Sequence, residues 1–462
     1  MKNNLLNNDV IAAIATAPGQ GAVGIVRLSG KGSLDVLARV FYCRSKLIEP
    51  MKSHYMYYGK IHNNGEDIDE VMVCPMLAPR SYTREDVVEI YAHGGMLVLH
   101  AVLQCVIDNG ARLAEPGEFT KRAFLNGRVN LSQAEAVMDI ISAGSEAARR
   151  AGLRQLGGGL SNRLVGLRDK ILMWLAHIEL SIDYPEHEEE AQNAAEISNE
   201  AEAVLTELNN LKESGKVGRI LKEGIKTAII GRPNVGKSTL LNAIIKEDRA
   251  IVHEKAGTTR DVLSEHVLVG DIPLLLMDTA GIRETIDPIE KIGVKKSQSV
   301  AEDAELILYV VDKSKEFSQE NRDVLEGYNN KQVILLLNKN DLPTKAELPM
   351  QELNIPKENI IDISASTGLG LNNLYKRIGE IFLSGFISTA ESDIITRERH
   401  RLLIDKAINH VQKAKQEIKM GTPEDLVSIE LRTAYIALGE ILGQEIGDDI
   451  VDRIFEEFCL GK

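Results

Sequence analysis

The sequence predicts an α/β and α+β multidomain protein, on three observations. An apolar run, Ile225 to Ile230, leads into the glycine loop Gly231-Arg-Pro-Asn-Val-Gly-Lys-Ser238, which opens the helical pattern Thr239, Leu240, Leu241, Ala243, Ile244. Strand, glycine loop and helix in this order are the context of a phosphate-binding loop. Around it, residues 219 to about 382 alternate apolar runs with helical stretches, the mark of a parallel sheet. On either side, from Leu131 to about Leu211 and from Glu391 onward, apolar residues recur by threes and fours, as helices require.

A chain of 462 residues holds about three domains, each able to bury a core. A hydrophobic content of 44% with 26% charged residues is that of a globular protein. Aromatic residues are only 4%, which argues against a sandwich or an aromatic RNA-stacking platform. The N-terminal residues carry no signal-peptide apolar region, and no run of about 18 apolar residues exists to span a bilayer. A cytoplasmic protein without membrane attachment is expected. Cys43, Cys74, Cys105 and Cys459 lie far apart, so neither disulfide nor zinc has support. A net charge of −14 excludes nonspecific polyanion binding, and any nucleic-acid contact must come from a local basic stripe.

Residues 1 to about 120 read as mixed α+β with short strands. Ile11 to Thr16 and Ala22 to Leu28 are strand-like runs bracketing Pro18-Gly-Gln-Gly21, a turn signal. Val71 to Cys74 and Val87 to Ala92 continue the pattern, and Met96 to Ile107 is helical. His93, ahead of two glycines, reads as a turn residue before it reads as a catalytic base. Further on, Leu164, Leu167, Ile171, Leu175, Ile178 and Ile182 form one apolar stripe, stopped at Tyr184-Pro185. The acidic run Glu186 to Glu190 reads as a solvated helix start, where the dipole favours acids, ahead of a metal site.

Leu306 to Val311 and Val333 to Leu337 are near-continuous apolar runs, as buried parallel strands are. Val267 to Val269 and Ile272 to Met277, joined through Gly270-Asp271, read as a hairpin at the sheet edge. Beyond Glu391, residues 397–419 carry Arg397, Arg399, Arg401, Lys406, Lys413, Lys415 and Lys419 against Glu398, Asp405 and Glu417. This is the strongest basic stripe of an acidic chain, either a solvated face or an RNA contact.

Nucleotide chemistry is spread over an ordered set of motifs. Gly231 and Gly236 let backbone N–H groups close on phosphates at a helix N-terminus. Lys237 reaches the β and γ oxygens and Ser238 ligates Mg²⁺, with Asn234, Val235 and Thr239 completing the loop. Gly257-Thr-Thr-Arg-Asp261 offers a threonine to the Mg²⁺ shell. Asp278, Thr279, Ala280 and Gly281 end an apolar strand, where an acid reaches Mg²⁺ through water and a glycine amide faces the γ-phosphate. Asn338, Lys339, Asn340 and Asp341 end another. The Asp341 carboxylate can accept from both N1–H and the 2-amino group of guanine, a pair adenine lacks. Ser364, Ala365 and Ser366 follow Ile360 to Ile363, in place to back the base. The motifs in this order predict a GTP-binding P-loop domain.

Water activation is less ordinary. A Ras-type enzyme orients its water with a glutamine just after the DxxG motif, and here that position is Ile282. Arg232, Arg260 and Arg283 are all candidates for an arginine finger, none of them distinctive. Another group must hold the water, and the charge is open to another cation.

Six stretches then give the chain a whole-length resemblance to one family. They are Gly19-Gln-Gly-Ala-Val-Gly-Ile-Val-Arg27, Pro116-Gly-Glu-Phe-Thr-Lys-Arg-Ala-Phe-Leu-Asn126, Gln133-Ala-Glu-Ala136, Gly231–Ser238, Gly257–Asp261 and Phe458-Cys-Leu-Gly-Lys462. The chain resembles the MnmE (TrmE) family of bacterial and organellar tRNA modification GTPases. The resemblance implies a P-loop GTPase domain (219–382) inserted in a discontinuous helical domain (121–218 and 383–462). An N-terminal α+β domain (1–120) that binds tetrahydrofolate and dimerises would precede it. It implies a potassium-stimulated GTPase, a homodimer, working with an MnmG-like FAD protein in a heterotetramer or larger complex. Together they would add an aminomethyl or carboxymethylaminomethyl group to C5 of the wobble uridine of certain tRNAs. The one-carbon unit would come from 5-formyl- or 5,10-methylene-tetrahydrofolate.

Residue by residue, the resemblance puts folate contacts on Arg27, Glu85, Arg128 and Lys462, the family also using lysine at the Arg128 position. Potassium maps to Asn234, His253, Lys255 and Thr258, in a loop that also brings Glu254, Ala256 and Gly257 to the nucleotide. Mg²⁺ maps to Ser238 and Thr259, and the catalytic acid to Glu290, with Lys237 beside the phosphates.

Two readings are open for Cys459. As a nucleophile adding to C6 of the uridine it would activate C5, but no histidine flanks it and only Lys462 is at hand to lower its pKa. As a structural or substrate-adjacent cysteine it needs neither. A rival function shares the GTP motifs: a switch GTPase of ribosome assembly or signalling, whose output is binding alone. A nucleic-acid module such as KH, with its GXXG, would favour it, and the C-terminal segment has no GXXG.

Overall fold

The computed structural model describes residues 9–43, 51–63, 65–183, 194–246, 265–277, 301–344, 353–383, 393–459 and 461. They fall into two compact units, one from 1–138, 161–170 and 435–462, the other from 139–160 and 171–434.

The first unit is built on a sheet of β1 (Val10–Ile14), β2 (Val23–Ser29), β3 (Phe41–Tyr42), β4 (Tyr57–Asn63), β5 (Glu66–Met76), β6 (Val87–His93) and β7 (Ala111–Leu113). Among the described residues the order is β3-β4-β5-β6-β2-β1-β7, antiparallel except where β7 runs parallel to β1. Alternation decides the faces. Val26, Leu28, Val71, Val73, Val88 and Ile90 point to one side and share a core with α1 (Ser33–Val40) and α2 (Met96–Asp108). Gly24 lets α2 press on the sheet, since a Cβ there would stand 2.4 Å from Leu99 Cδ1. On the opposite side Ile11 and Ala13 meet Phe119 of α3 (Glu118–Leu125) and Tyr82. The helix pair α4 (Leu131–Ile141) and α13 (Asp448–Glu456) adds a cluster of Leu131, Ala134, Val451, Phe455 and Phe458.

The predicted strands near Ile11, Ala22, Val71 and Val87 are all present. The third is longer than its apolar run announces. Strand β5 extends back through Glu66–Glu70, because backbone pairing with β4 holds a polar stretch as firmly as an apolar one. β3, β4, β7 and α1 lie outside the stretches the sequence marked.

The second unit holds a sheet ordered β13-β12-β11-β8-β10-β9 among the described residues. Its strands are β8 (Ile225–Ile230), β9 (Glu265–Val269), β10 (Ile272–Leu276), β11 (Leu306–Asp312), β12 (Gln332–Asn338) and β13 (Ile360–Asp362). All pairs are parallel except the β9–β10 hairpin, which sits at the edge as expected and turns on Gly270 at φ 62°. Every residue of β11 is buried, because hydrophobic clusters cover both faces. Helices α8 (Lys237–Lys246), α9 (Gln319–Glu326) and α10 (Leu371–Leu383) supply much of that cover.

The same unit contains α5 (Glu146–Leu156), α7 (Ala194–Glu223) and α11 (Glu398–Met420). Helices α7 and α11 lie side by side, tied by Lys212 Nζ and Asp405 at 2.6 Å. The stripe predicted on α6 (Gly159–Asp183) is buried from Leu164 to Ile178, but Ile182 is 49% exposed, so the stripe ends one turn early. Helix α12 (Glu424–Leu442) completes the helical set. Tyr184, Pro185 and the run Glu186 to Glu190 lie outside the described residues. Among the described residues no helix is long and apolar enough to cross a membrane.

Candidate functional site

In the second unit β8 ends at Ile230 and α8 begins at Lys237, so the glycine loop joins strand to helix as predicted. Its backbone is forced into conformations few residues accept. Asn234 stands at φ 61° and Gly236 at φ 100°. A Cβ on Gly236 would stand 2.3 Å from Asn338 Nδ2, and one on Gly231 would stand 2.4 Å from the Val310 carbonyl oxygen. Lys237 Nζ donates to the carbonyls of Gly231 at 2.7 Å and Arg232 at 2.8 Å. Burial pushes its ammonium below the ordinary lysine value. Ser238, in the first turn of α8, presents the hydroxyl oxygen a hard cation takes.

Asn338 connects this loop to the base-binding segments. It is 2% exposed; Nδ2 donates to the Val235 carbonyl at 2.8 Å and Oδ1 accepts from the Ala365 N–H at 2.9 Å. Lys339, at φ 64°, donates to the Asn234 carbonyl at 3.1 Å and pairs with Asp312 at 2.6 Å. Asp341 is exposed and accepts from Ser364 Oγ at 2.7 Å, while Ser364 and Ser366 share a hydrogen bond of 3.0 Å. Thus the loop Asn234–Thr239, the segment Asn338–Asp341 and Ser364–Ser366 come together, with the Asp341 carboxylate exposed among them. Sequence reading missed Lys313, which bridges Asn340 and Asp362, each at 2.8 Å. It directly follows β11, and position at a strand's carboxyl end was the available signal. His253, Glu254, Lys255, Ala256, Gly257, Thr258, Thr259, Asp278, Thr279, Ala280, Gly281 and Glu290 lie outside the described residues, as do Arg260, Ile282 and Arg283.

The first unit holds the second group. Arg27 on β2 stands opposite Glu89 on β6 and pairs with it at 2.8 Å. Its guanidinium lies 5.7 Å from the ring centres of both Tyr82 and Phe119, and that of Arg128 lies 4.6 Å from Tyr82. Arg27 also donates to the carbonyl of Gly461 at 3.3 Å. The C-terminal segment is seated closely. A Cβ on Gly461, at φ 86°, would stand 2.3 Å from the Ile14 carbonyl oxygen, and one on Gly117, at φ 67°, would stand 2.6 Å from that of Phe455. The Cys459 thiol is exposed on this segment, while its carbonyl accepts from the Gly117 N–H at 3.4 Å. Lys462 lies outside the described residues.

Glu85 has a different setting from the other two described folate candidates. It accepts from Ser29 Oγ at 2.8 Å and from Arg122 at 3.2 Å. Arg122, 4% exposed, also donates to Asp9 at 2.8 Å and to Glu118 at 3.0 Å, and Arg112 joins the same two acids. Burial works to raise the Asp9 and Glu118 carboxyls, yet the two arginines hold both below the ordinary carboxylate value. Tyr82, Glu89 and Arg122 were not singled out by sequence. Their roles arise from strand register and helix placement, which no local pattern displays.

The basic stripe of α11 is largely neutralised within its own unit. Arg397 pairs with Asp139 at 2.8 Å, Lys413 with Glu430 at 3.9 Å, Lys415 with Glu202, and Arg401 with Glu398 and Asp405. Four of its seven cations are thus ion-paired with acids of the same unit.

Comparison with known proteins adds the following. The family model described as "MnmE helical domain" matches residues 131–459, and the one described as "GTP-binding protein TrmE N-terminus" matches residues 10–128. A protein of Enterococcus faecalis named "tRNA modification GTPase MnmE" is 45% identical over 466 residues, covering 100% of each chain. One of the same name from Finegoldia magna is 46% identical over 455 residues, 98% of this chain and 100% of the other. A third, from Listeria innocua, is 45% identical over 455 residues, 98% and 99% of the two chains.

Proposed function

The chain belongs to the MnmE family of tRNA modification GTPases, and from that premise we propose the reaction it serves and the residues that serve it. It hydrolyses GTP, bound with Mg²⁺, in the service of tRNA modification. With an MnmG-like FAD protein it adds an aminomethyl or carboxymethylaminomethyl group to C5 of the wobble uridine, using the one-carbon unit of a tetrahydrofolate. The observation that carries this reading is the Arg27 site. Arg27 and Arg128 flank an aromatic ring, and the C-terminal segment bearing Cys459 is seated against the same guanidinium. A switch GTPase has no use for such a site.

Arg27, Arg128 and Lys462 take the anionic and carbonyl groups of the folate, and Glu85 is oriented for it by Arg122. Ser238 and Thr259 would hold Mg²⁺. Asn234, with backbone carbonyls of His253, Lys255 and Thr258, would hold potassium; the exposed, positive-φ Asn234 in the phosphate loop supports its part in this. Potassium held there would supply the positive charge that an arginine finger supplies elsewhere. The domain limits 1–120, 121–218, 219–382 and 383–462 belong to the same reading. So does a homodimer through the N-terminal domain, supported by the exposed Tyr58 (65%) and Met72 (43%), which stand opposite each other on β4 and β5. Cytoplasmic localisation accords with a tRNA substrate.

Mass analysis of wobble nucleosides in tRNA from cells lacking this protein tests the proposal. Loss of the C5-substituted uridines is expected. Unchanged nucleosides would leave the switch reading in its place.

A further inference from the structure

We propose that the recess beside Tyr82 binds the oligoglutamate tail of a folate, so that the protein selects polyglutamylated tetrahydrofolates over the monoglutamate; this rests on the folate reading of Arg27 and Arg128. The recess has a volume of about 520 Å³ and is lined by His54, Arg80, Tyr82, Arg84 and Arg128, with Met76, Pro79 and Ser81. Its size is that of a small-ligand site. Three guanidiniums and an imidazole converge on it, and among the described residues no acid lines it. The carboxylate of nearby Glu85 is engaged by Arg122 and Ser29.

Tyr82 and Arg128 belong both to the recess and to the surroundings of Arg27. The Tyr82 ring receives Arg27 at 5.7 Å and Arg128 at 4.6 Å, and the same residue lines the recess. A folate held by Arg27 and Arg128 would therefore send its tail toward Arg80 and Arg84. Each further γ-linked glutamate adds one carboxylate, the group guanidinium matches best. The rim is also built at a cost. His54 and Arg84 both stand at φ 60°, a conformation L side chains seldom adopt and one that clusters at ligand sites. Arg84 is fixed there by donating to the Asn126 carbonyl at 3.0 Å. Three guanidiniums clustered in one shallow depression, in a chain of net charge −14, suit a short flexible anion.

The test titrates full-length protein calorimetrically with 5-formyltetrahydrofolate and with its triglutamate. The triglutamate is expected to bind about tenfold more tightly at low salt, the scale of a few exposed ion pairs. Added NaCl should shrink that advantage. Arg80→Ala/Arg84→Ala should reduce it to about twofold or less. Arg80 makes no side-chain hydrogen bond or ion pair among the described residues, so Arg80→Ala alone, expected to cut the advantage by about half, serves if the double variant misfolds. Equal affinity for the two folates would overturn the proposal and leave the folate site standing. Binding of neither would remove both. A double variant that loses tRNA affinity while keeping the length preference would overturn it in favour of RNA.

Discussion

The Asn338 side chain donates to the Val235 carbonyl at 2.8 Å, so one buried amide ties the guanine segment to the phosphate loop. Its oxygen is engaged as well, by the Ala365 N–H. Asn338→Ala leaves two buried backbone groups without partners, at about 1–3 kcal/mol each. Affinity for a fluorescent GDP analogue should fall by at least about thirtyfold, with a lowered Tm. Unchanged nucleotide affinity would show that the bridge does not shape the site.

The network around Arg122 should dominate the acid stability of the first unit. Asp9 and Glu118 are held below the ordinary carboxylate value, so the stability they contribute is present above that value and is lost as pH falls through their depressed pKa values. Arg122→Met leaves Glu85, Glu118 and Asp9 short of a cation and should cost about 3–5 kcal/mol near neutral pH. Tm measured from pH 7 downward should drop less steeply for the variant than for the wild type. Parallel curves would contradict this account.

Arg27→Ala removes a charged donor from the proposed folate site. Binding of 5-formyltetrahydrofolate should weaken by about 1.5–3 kcal/mol. Calorimetry giving equal heats for both proteins would exclude the role.

In the proposed mechanism, Glu290 and potassium take the parts that Ile282 leaves open. Glu290→Ala should lower kcat by about a hundredfold, the scale of general-base assistance, with GTP affinity nearly intact. Replacing KCl by NaCl should slow the wild type strongly. Full turnover in sodium, or normal hydrolysis by the variant, would refute the mechanism.

Much of the second unit was legible because its strands are buried on both faces and read as continuous apolar runs, as Leu306 to Val311 shows. The glycine loop was legible because its backbone admits few residues. What stayed hidden depends on residues far apart in the chain. Tyr82 matters only once Arg27 and Arg128 converge on it. The stripe at 397–419 reads as basic because its partners Asp139, Glu202 and Glu430 come from other helices. Local charge counts a side chain's sign but not its company.

The Arg27–Gly461 hydrogen bond spans 434 positions, so this site cannot be completed while the ribosome is still making the chain. The N-terminal sheet can form early, yet Arg27 on its strand β2 meets the Gly461 carbonyl only after residue 461 has emerged. Until then the exposed face around Ile14 and Gly117 is open to whatever else would cover it. On the proposed folate reading, competence for the one-carbon ligand would require the chain to have been made through residue 461, and a product truncated before it would lack it even with every N-terminal residue in place.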